Sequence, residues 1–158
     1  SYCQFTTLNI SGHPALWHLS CYDSHITSLN ASGCTSLTYL HCYYCQLNSL
    51  NISGCTALED LECIGNKLKS LDIYELNNIK CIDCTGNHLT SIHLVSNSLK
   101  TLLCTFNNLQ SLDLSKCPNM KIVDCAHNPL EYINISGLNL FSVDTCSEIT
   151  RILRKESG

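Results

Sequence analysis

The chain has 158 residues, of which 44% are hydrophobic and 14% are charged, and its formal net charge is −4. Nine basic residues against thirteen acidic ones create no positive field, which argues against nucleic-acid binding. The longest apolar runs are three or four residues, so no transmembrane segment is expected, and the first residues lack the pattern of a signal peptide.

Apolar residues recur at a spacing of 21 along nearly the whole chain. A partial coil at 1–15 contains Phe5, Leu8 and Ile10. Six full coils follow, and they begin at Leu16, Leu37, Leu58, Ile79, Leu99 and Met120. One coil has 20 residues, with the deletion in the return loop at 95–98. Residues 141–158 form a degenerate last coil and a tail. We therefore predict one domain, residues 1–158, of about six and a half coils.

Each coil follows the pattern L-x-x-L-x-C-x-x-N-x-L-x-x-L-x-I, and Asn66, Asn87, Asn107 and Asn128 occupy the asparagine position. This pattern matches the leucine-rich repeat, with cysteine where leucine is more common. In x-L-x-C-x the apolar residues alternate, which predicts a short strand with leucine and cysteine pointing inward. One coil buries too little apolar surface to fold alone, so neighbouring coils must stack. We predict a leucine-rich-repeat solenoid with right-handed coils, one parallel β-sheet and irregular convex returns.

Most of the thirteen cysteines follow the repeat. Seven occupy one inward position and form a predicted structural ladder: Cys21, Cys42, Cys63, Cys84, Cys104, Cys125 and Cys146. Three more, Cys34, Cys55 and Cys117, share a corner position. Stacked ladder cysteines lie about 4.8 Å apart, beyond the usual Cβ separation of a disulfide. We interpret them as reduced and buried, with a cross-link between Cys34 and Cys55 as the alternative.

Two C-x-x-C motifs, Cys42–Cys45 and Cys81–Cys84, are typical of zinc or redox sites elsewhere. Here they are out of register with each other and two coils apart, so four thiolates cannot converge on one ion. Cys42 and Cys84 belong to the ladder and Cys45 occupies the asparagine position, and neither pair lies at a helix N-terminus, which a redox motif would need. We expect no metal site and no cofactor.

The run Leu-Glu-Asp-Leu-Glu-Cys-Ile-Gly-Asn-Lys-Leu-Lys-Ser-Leu-Asp-Ile at 58–73 resembles the 21-residue, cysteine-bearing repeat of bacterial cell-surface leucine-rich-repeat proteins of the internalin J-like type. The similarity covers about residues 3–146. The resemblance implies a secreted or cell-surface protein of a host-associated bacterium that uses its solenoid for adhesion or protein binding. It does not specify the ligand.

In a solenoid of this kind, the variable positions of the strand form the concave face, where ligands usually bind. Aromatic residues lie at the N-terminal end of this face, beside acidic ones. The predicted ligand-binding residues are Trp17, His18, Tyr22, Tyr39, His41, Tyr43, Tyr44, Asp60, Glu62 and Asp83. Tyrosine and tryptophan are frequent at binding hot spots, although aromatic residues also suit exposed strand positions for structural reasons alone.

The column His41, Glu62 and Asp83 has residue types suited to acid–base chemistry or to a weak cation site. A solvated polar face is the favoured interpretation, because an open sheet excludes little water. No catalytic residues are predicted.

The sequence thus predicts a non-catalytic protein-binding or adhesion module with a protein or glycan partner. A structural spacer without its own ligand is the alternative. The ends of a solenoid need capping, so there are two alternatives: the caps lie outside this sequence, or the ends associate with another chain, end to end or edge to edge.

Overall fold

The computed structural model describes residues 5–140 and 142–144, which form a parallel β-solenoid of about six turns. Fourteen short strands and no helix are present in this range, so the expected repeating coil is confirmed. No helix long and apolar enough to cross a membrane occurs among the described residues.

One strand per coil contributes to a seven-stranded parallel sheet, the main sheet. Its strands are β2 (His18–Tyr22), β4 (Tyr39–Tyr43), β6 (Asp60–Glu62), β8 (Cys81–Asp83), β10 (Thr101–Leu103), β12 (Ile122–Asp124) and β14 (Ser142–Asp144). Equivalent residues of neighbouring coils are paired, so Leu40 lies opposite Leu61 and His41 opposite Glu62. The sheet therefore places every repeat position in a straight column.

The return segments also form strands, so the expectation of one sheet and irregular returns was wrong. The return strands are β1 (Thr7–Asn9), β3 (Ser28–Asn30), β5 (Ser49–Asn51), β7 (Ser70–Asp72), β9 (Ser91–His93), β11 (Ser111–Asp113) and β13 (Tyr132–Asn134). They pair as β1-β3-β5, β7-β9 and β11-β13. The physical reason is local alternation. In Ser-Leu-Asn or Ser-Leu-Asp the leucine points inward between two polar residues, and the 21-residue spacing brings equivalent triplets side by side.

The core consists of inward columns of leucine, isoleucine and cysteine between the main sheet and the return strands. Cys42, Cys63, Cys84, Cys104 and Cys125 of the ladder are buried. Cys21 is half-buried and pairs in register with Cys42. Cys146 lies outside the described residues. The step from β12 to β14 is 20 residues, since Val123 pairs with Val143, whereas the predicted step from Cys125 to Cys146 is 21.

All eleven cysteines within the described range have free thiols. At the corner, the Cys34 thiol donates to the Ile10 carbonyl at 3.0 Å, and the Cys55 thiol donates to the Ala31 carbonyl at 3.1 Å. These two corner cysteines therefore hydrogen-bond to the backbone of the preceding coil, and no disulfide joins Cys34 to Cys55.

Four buried asparagines each connect their own coil to the one before it. The Asn87 Nδ2 donates to the carbonyls of Cys63 in the preceding coil and Cys84 in its own coil, at 2.9 and 3.0 Å. Its Oδ1 accepts the Leu68 N–H of the preceding coil at 3.1 Å. Asn66, Asn107 and Asn128 make the equivalent bonds. These four residues form an asparagine ladder that satisfies buried backbone groups where the chain leaves the main sheet.

Earlier coils depart from this ladder. Cys45 and Ser24 occupy the asparagine position in the two coils before Asn66. The Cys45 thiol donates to the carbonyls of Cys21 and Tyr43 at 3.3 and 3.2 Å, whereas the buried Ser24 hydroxyl has no hydrogen-bond partner among the described residues. The N-terminal coils are thus joined by weaker side-chain hydrogen bonds.

Candidate functional site

The outward face of the main sheet carries the variable residues of the repeat. One column runs through His18, Tyr39, Asp60, Cys81, Thr101 and Ile122, and a second runs through Ser20, His41, Glu62, Asp83, Leu103 and Asp124. A third short column pairs Tyr22 with Tyr43. The face is aromatic in its first two coils, acidic in the next two and mixed afterwards.

Six rings of the first two coils contact one another and form the aromatic cluster: Trp17, His18, Tyr22, Tyr39, His41 and Tyr43. Tyr22 and Tyr43 are stacked with centroids 5.1 Å apart, and Trp17 meets Tyr39 edge to face at 6.3 Å. The Trp17 side chain is 62% exposed and that of Tyr22 is 58% exposed. The structure therefore brings together six of the seven aromatic residues predicted for the site.

The seventh, Tyr44, lies apart from the aromatic cluster. Its backbone has a φ of 53°, and it occupies the turn position where the chain leaves the sheet. A Cβ placed on Gly65, the equivalent residue of the next coil, would lie 2.3 Å from Cδ1 of Tyr44. The Tyr44 ring thus covers a glycine at the edge of the sheet.

His41 connects the aromatic cluster to the acidic part of the face. One ligand atom each from His41, Asp60 and Glu62 lies within 4.8 Å of the others. Burial raises the pKa of Asp60, and the nearby Asp83 carboxylate raises it further, while His41 acts in the opposite direction. The sequence-based column of His41, Glu62 and Asp83 is present, but the close group contains Asp60 in place of Asp83.

Two thiols on strands of the main sheet, Cys81 on the outward face and Cys21 in the inward ladder, differ in acidity. Burial, together with the carboxylates of Asp60, Glu62 and Asp83, raises the pKa of Cys81 to about 11. A hydrogen bond from Cys42 lowers the pKa of Cys21 to about 7, although burial opposes this shift. Cys81 therefore has a protonated thiol near neutral pH, and Cys21 has a partly ionised one.

Two features were missed by the sequence analysis. The exposed ring of Phe106 stacks on His127, with centroids 4.1 Å apart. Both residues have positive φ and occupy the same turn position as Tyr44. Their equivalent positions in the repeat could therefore have predicted that the two rings are neighbours. On the return side, a cavity opens between β5 and β7, which belong to different sheets. Its lining includes Asn51, Asp72 and Tyr74.

Comparison with known proteins gives no significant match to a family model, to a curated protein sequence or to a solved structure. What the chain does must therefore be inferred from the residues on its surface.

Proposed function

We propose that this chain is a non-catalytic binding or adhesion module of the leucine-rich-repeat class, built of right-handed coils and carried on a bacterial cell surface or secreted. The repeat pattern at 58–73 supports the class, and its resemblance to bacterial surface proteins supports the location. The partner is a protein or a glycan that docks on the outward face of the main sheet.

The aromatic cluster is the single observation that carries this proposal. Exposed aromatic side chains on a folded domain present much apolar area, and tyrosine and tryptophan add a hydrogen-bonding group at the rim. The rings of Trp17, Tyr39 and Tyr43 contact neighbouring rings, so they have little freedom to lose when a partner binds. Such pre-organisation leaves more of the contact energy for affinity.

The test is a binding screen of the intact chain against host surface proteins and glycans, followed by a double substitution, Tyr39→Ala with Tyr43→Ala. Two hot-spot residues are worth roughly 100-fold or more in affinity. The matched control is Tyr74→Ala with Tyr132→Ala, which removes two exposed tyrosines from the return side.

The first double variant should lose binding while it remains folded by circular dichroism, and the control should bind like the wild type. Equal binding by both variants would contradict the proposal. A chain that captures no protein or glycan would instead favour a structural spacer.

A further inference from the structure

A group of potential metal ligands lies on two adjacent strands of the main sheet. His41 is the central residue of β4 and Glu62 lies opposite it on β6. Asp60 begins β6, two residues before Glu62, so the two carboxylates project from the same side of the strand. The ligand atoms of these three side chains lie within 4.8 Å of one another. The paired strands thus hold an imidazole and two carboxylates around a common point.

Two of these groups have buried polar atoms without a partner. Nε2 of His41 and Oδ1 of Asp60 are inaccessible to solvent and form no hydrogen bond within the described part of the chain. The rings of Tyr39 and Tyr43 flank the imidazole on its own strand, with centroids 6.3 and 5.9 Å away. An unpaired buried polar atom is costly and uncommon in native proteins, and a bound ion is one of the partners that can satisfy such an atom.

The local charge also favours a cation. Asp60, Glu62 and Asp83 occupy adjacent positions of β6 and β8. The nearby Lys80 ammonium is 2.7 Å from Glu59, and no ion pair to Asp60 or Glu62 occurs between residues 5 and 144 as described. The two carboxylates therefore lie close to His41 and Asp83, and no lysine or arginine in the described part of the chain forms an ion pair with them.

We infer that His41, Asp60 and Glu62 form a binding site for a divalent transition-metal ion of the zinc type. One imidazole nitrogen and two carboxylate oxygens are a ligand set that zinc accepts, whereas calcium and magnesium prefer oxygen ligands throughout. Three protein ligands leave at least one coordination position for water or for a group from a partner. The group shares His41 with the aromatic cluster, but the inference does not rest on the proposed binding function, because the metal alone tests it.

The experiment is a titration of the reduced chain with cobalt(II) chloride, followed by displacement with zinc chloride. Cobalt reports its ligands through its visible spectrum, and coordination by cysteine adds an intense thiolate charge-transfer band in the near ultraviolet. We expect one ion per chain, a spectrum without the thiolate band and displacement by zinc. The thiolate band matters because the chain contains thirteen cysteines.

Substitutions locate the site. His41→Gln and Glu62→Gln should each weaken binding by about tenfold or more, since even loss of a group that only orients a ligand costs 10- to 100-fold. The matched control is Asp124→Asn, which removes a carboxylate from the same column of the face and keeps the Oδ1 that accepts the Ala126 N–H. If His41→Gln does not fold, the isosteric substitution Asp60→Asn takes its place in the experiment, because it also removes one proposed metal ligand.

Three results would overturn the inference. They are the absence of cobalt binding at millimolar concentration, a thiolate band at saturation, and an affinity that His41→Gln and Glu62→Gln leave unchanged. In the last two cases the ion belongs to cysteine or to another part of the surface. If the chain binds no metal but still binds its partner, the metal site is refuted and the proposed function is not. Failure of the metal inference can therefore be distinguished from failure of the proposed function.

Discussion

Removal of one rung of the asparagine ladder should destabilise the solenoid strongly. In Asn87→Ala the buried Leu68 N–H loses its side-chain partner. The carbonyls of Cys63 and Cys84 each lose one of two donors, because they keep hydrogen bonds from the Nδ2 groups of Asn66 and Asn107. A buried polar group left unsatisfied costs about 1–3 kcal/mol, and loss of an ordinary hydrogen bond costs about 0.5–1.5 kcal/mol. Together these losses give about 2–6 kcal/mol, and since water can enter the space left by the amide, we expect about 2–4 kcal/mol.

The assay is urea denaturation of the reduced protein followed by far-ultraviolet circular dichroism. Asn108→Ala is the control, because Asn108 is exposed and only its backbone N–H, which donates to the Leu89 carbonyl, has a described hydrogen bond. Its substitution should change the free energy of unfolding by less than about 0.5 kcal/mol. Hydrogen exchange at the Leu68 amide should accelerate in Asn87→Ala, because the opening is local to two coils.

The reciprocal change is Cys45→Asn. It introduces an amide where the chain now has a thiol, and offers an acceptor to the Ile26 N–H, the equivalent of the Leu68 N–H. We expect the free energy of unfolding to rise by about 1 kcal/mol.

A fall of less than about 1 kcal/mol in the free energy of unfolding of Asn87→Ala, with an unchanged denaturant slope, would refute the importance of the ladder.

Two further predictions concern the edge of the sheet and the thiols. Gly65→Ala should destabilise the chain by about 1–3 kcal/mol and displace the Tyr44 ring, because both the left-handed backbone and the overlying ring exclude a Cβ. Gly86→Ala has a similar φ but no side chain nearby, so the difference between the two variants, measured by thermal unfolding and tyrosine fluorescence, isolates the ring. Iodoacetamide at about pH 8 should modify Cys21 about ten times faster than Cys81. The pKa values of about 7 and about 11 give a roughly 900-fold difference in the thiolate fraction of the two cysteines. The thiolate of the more acidic thiol is less nucleophilic, and this reduces the difference in rate to about tenfold. Mass mapping of partly alkylated protein measures this ratio, and equal rates would show that access outweighs ionisation. The rate at Cys21 should fall as the pH is lowered through about 7, since its thiolate is then protonated.

The coil itself could be predicted from the sequence, because the pattern of apolar and polar residues that produces it recurs in every coil. Leu61 and Cys63 alternate with polar residues in one coil, and the same residue types recur 21 positions earlier and later. The return strands have the same alternation over three residues only. A pattern as short as Ser70–Asp72 is readable as a strand only when neighbouring triplets are known to lie beside it.

The sequence could predict which residues of the candidate site share one face of the sheet, but not which of their side chains contact one another. Register from the repeat places His41 opposite Glu62, as the structure does. The choice of Asp60 over Asp83 as the third close group depends on how side chains lean along the strand, which the repeat does not encode. Residue type groups Tyr44 with the other rings, because tyrosine rarely adopts a positive φ. The repeat aligns it with Gly65 and Gly86, and its φ of 53° shows that it has the same turn conformation.

The aromatic cluster occupies the coils in which serine and cysteine replace the bridging amides. Ser24 and Cys45 come two residues after Tyr22 and Tyr43, which end their strands. We therefore expect the part of the molecule that offers the most contact area to open at a lower free energy than the coils joined by the asparagine ladder. A partner that docks there would hold the first turns of the chain closed, and its affinity would appear as protection of those turns against proteolysis.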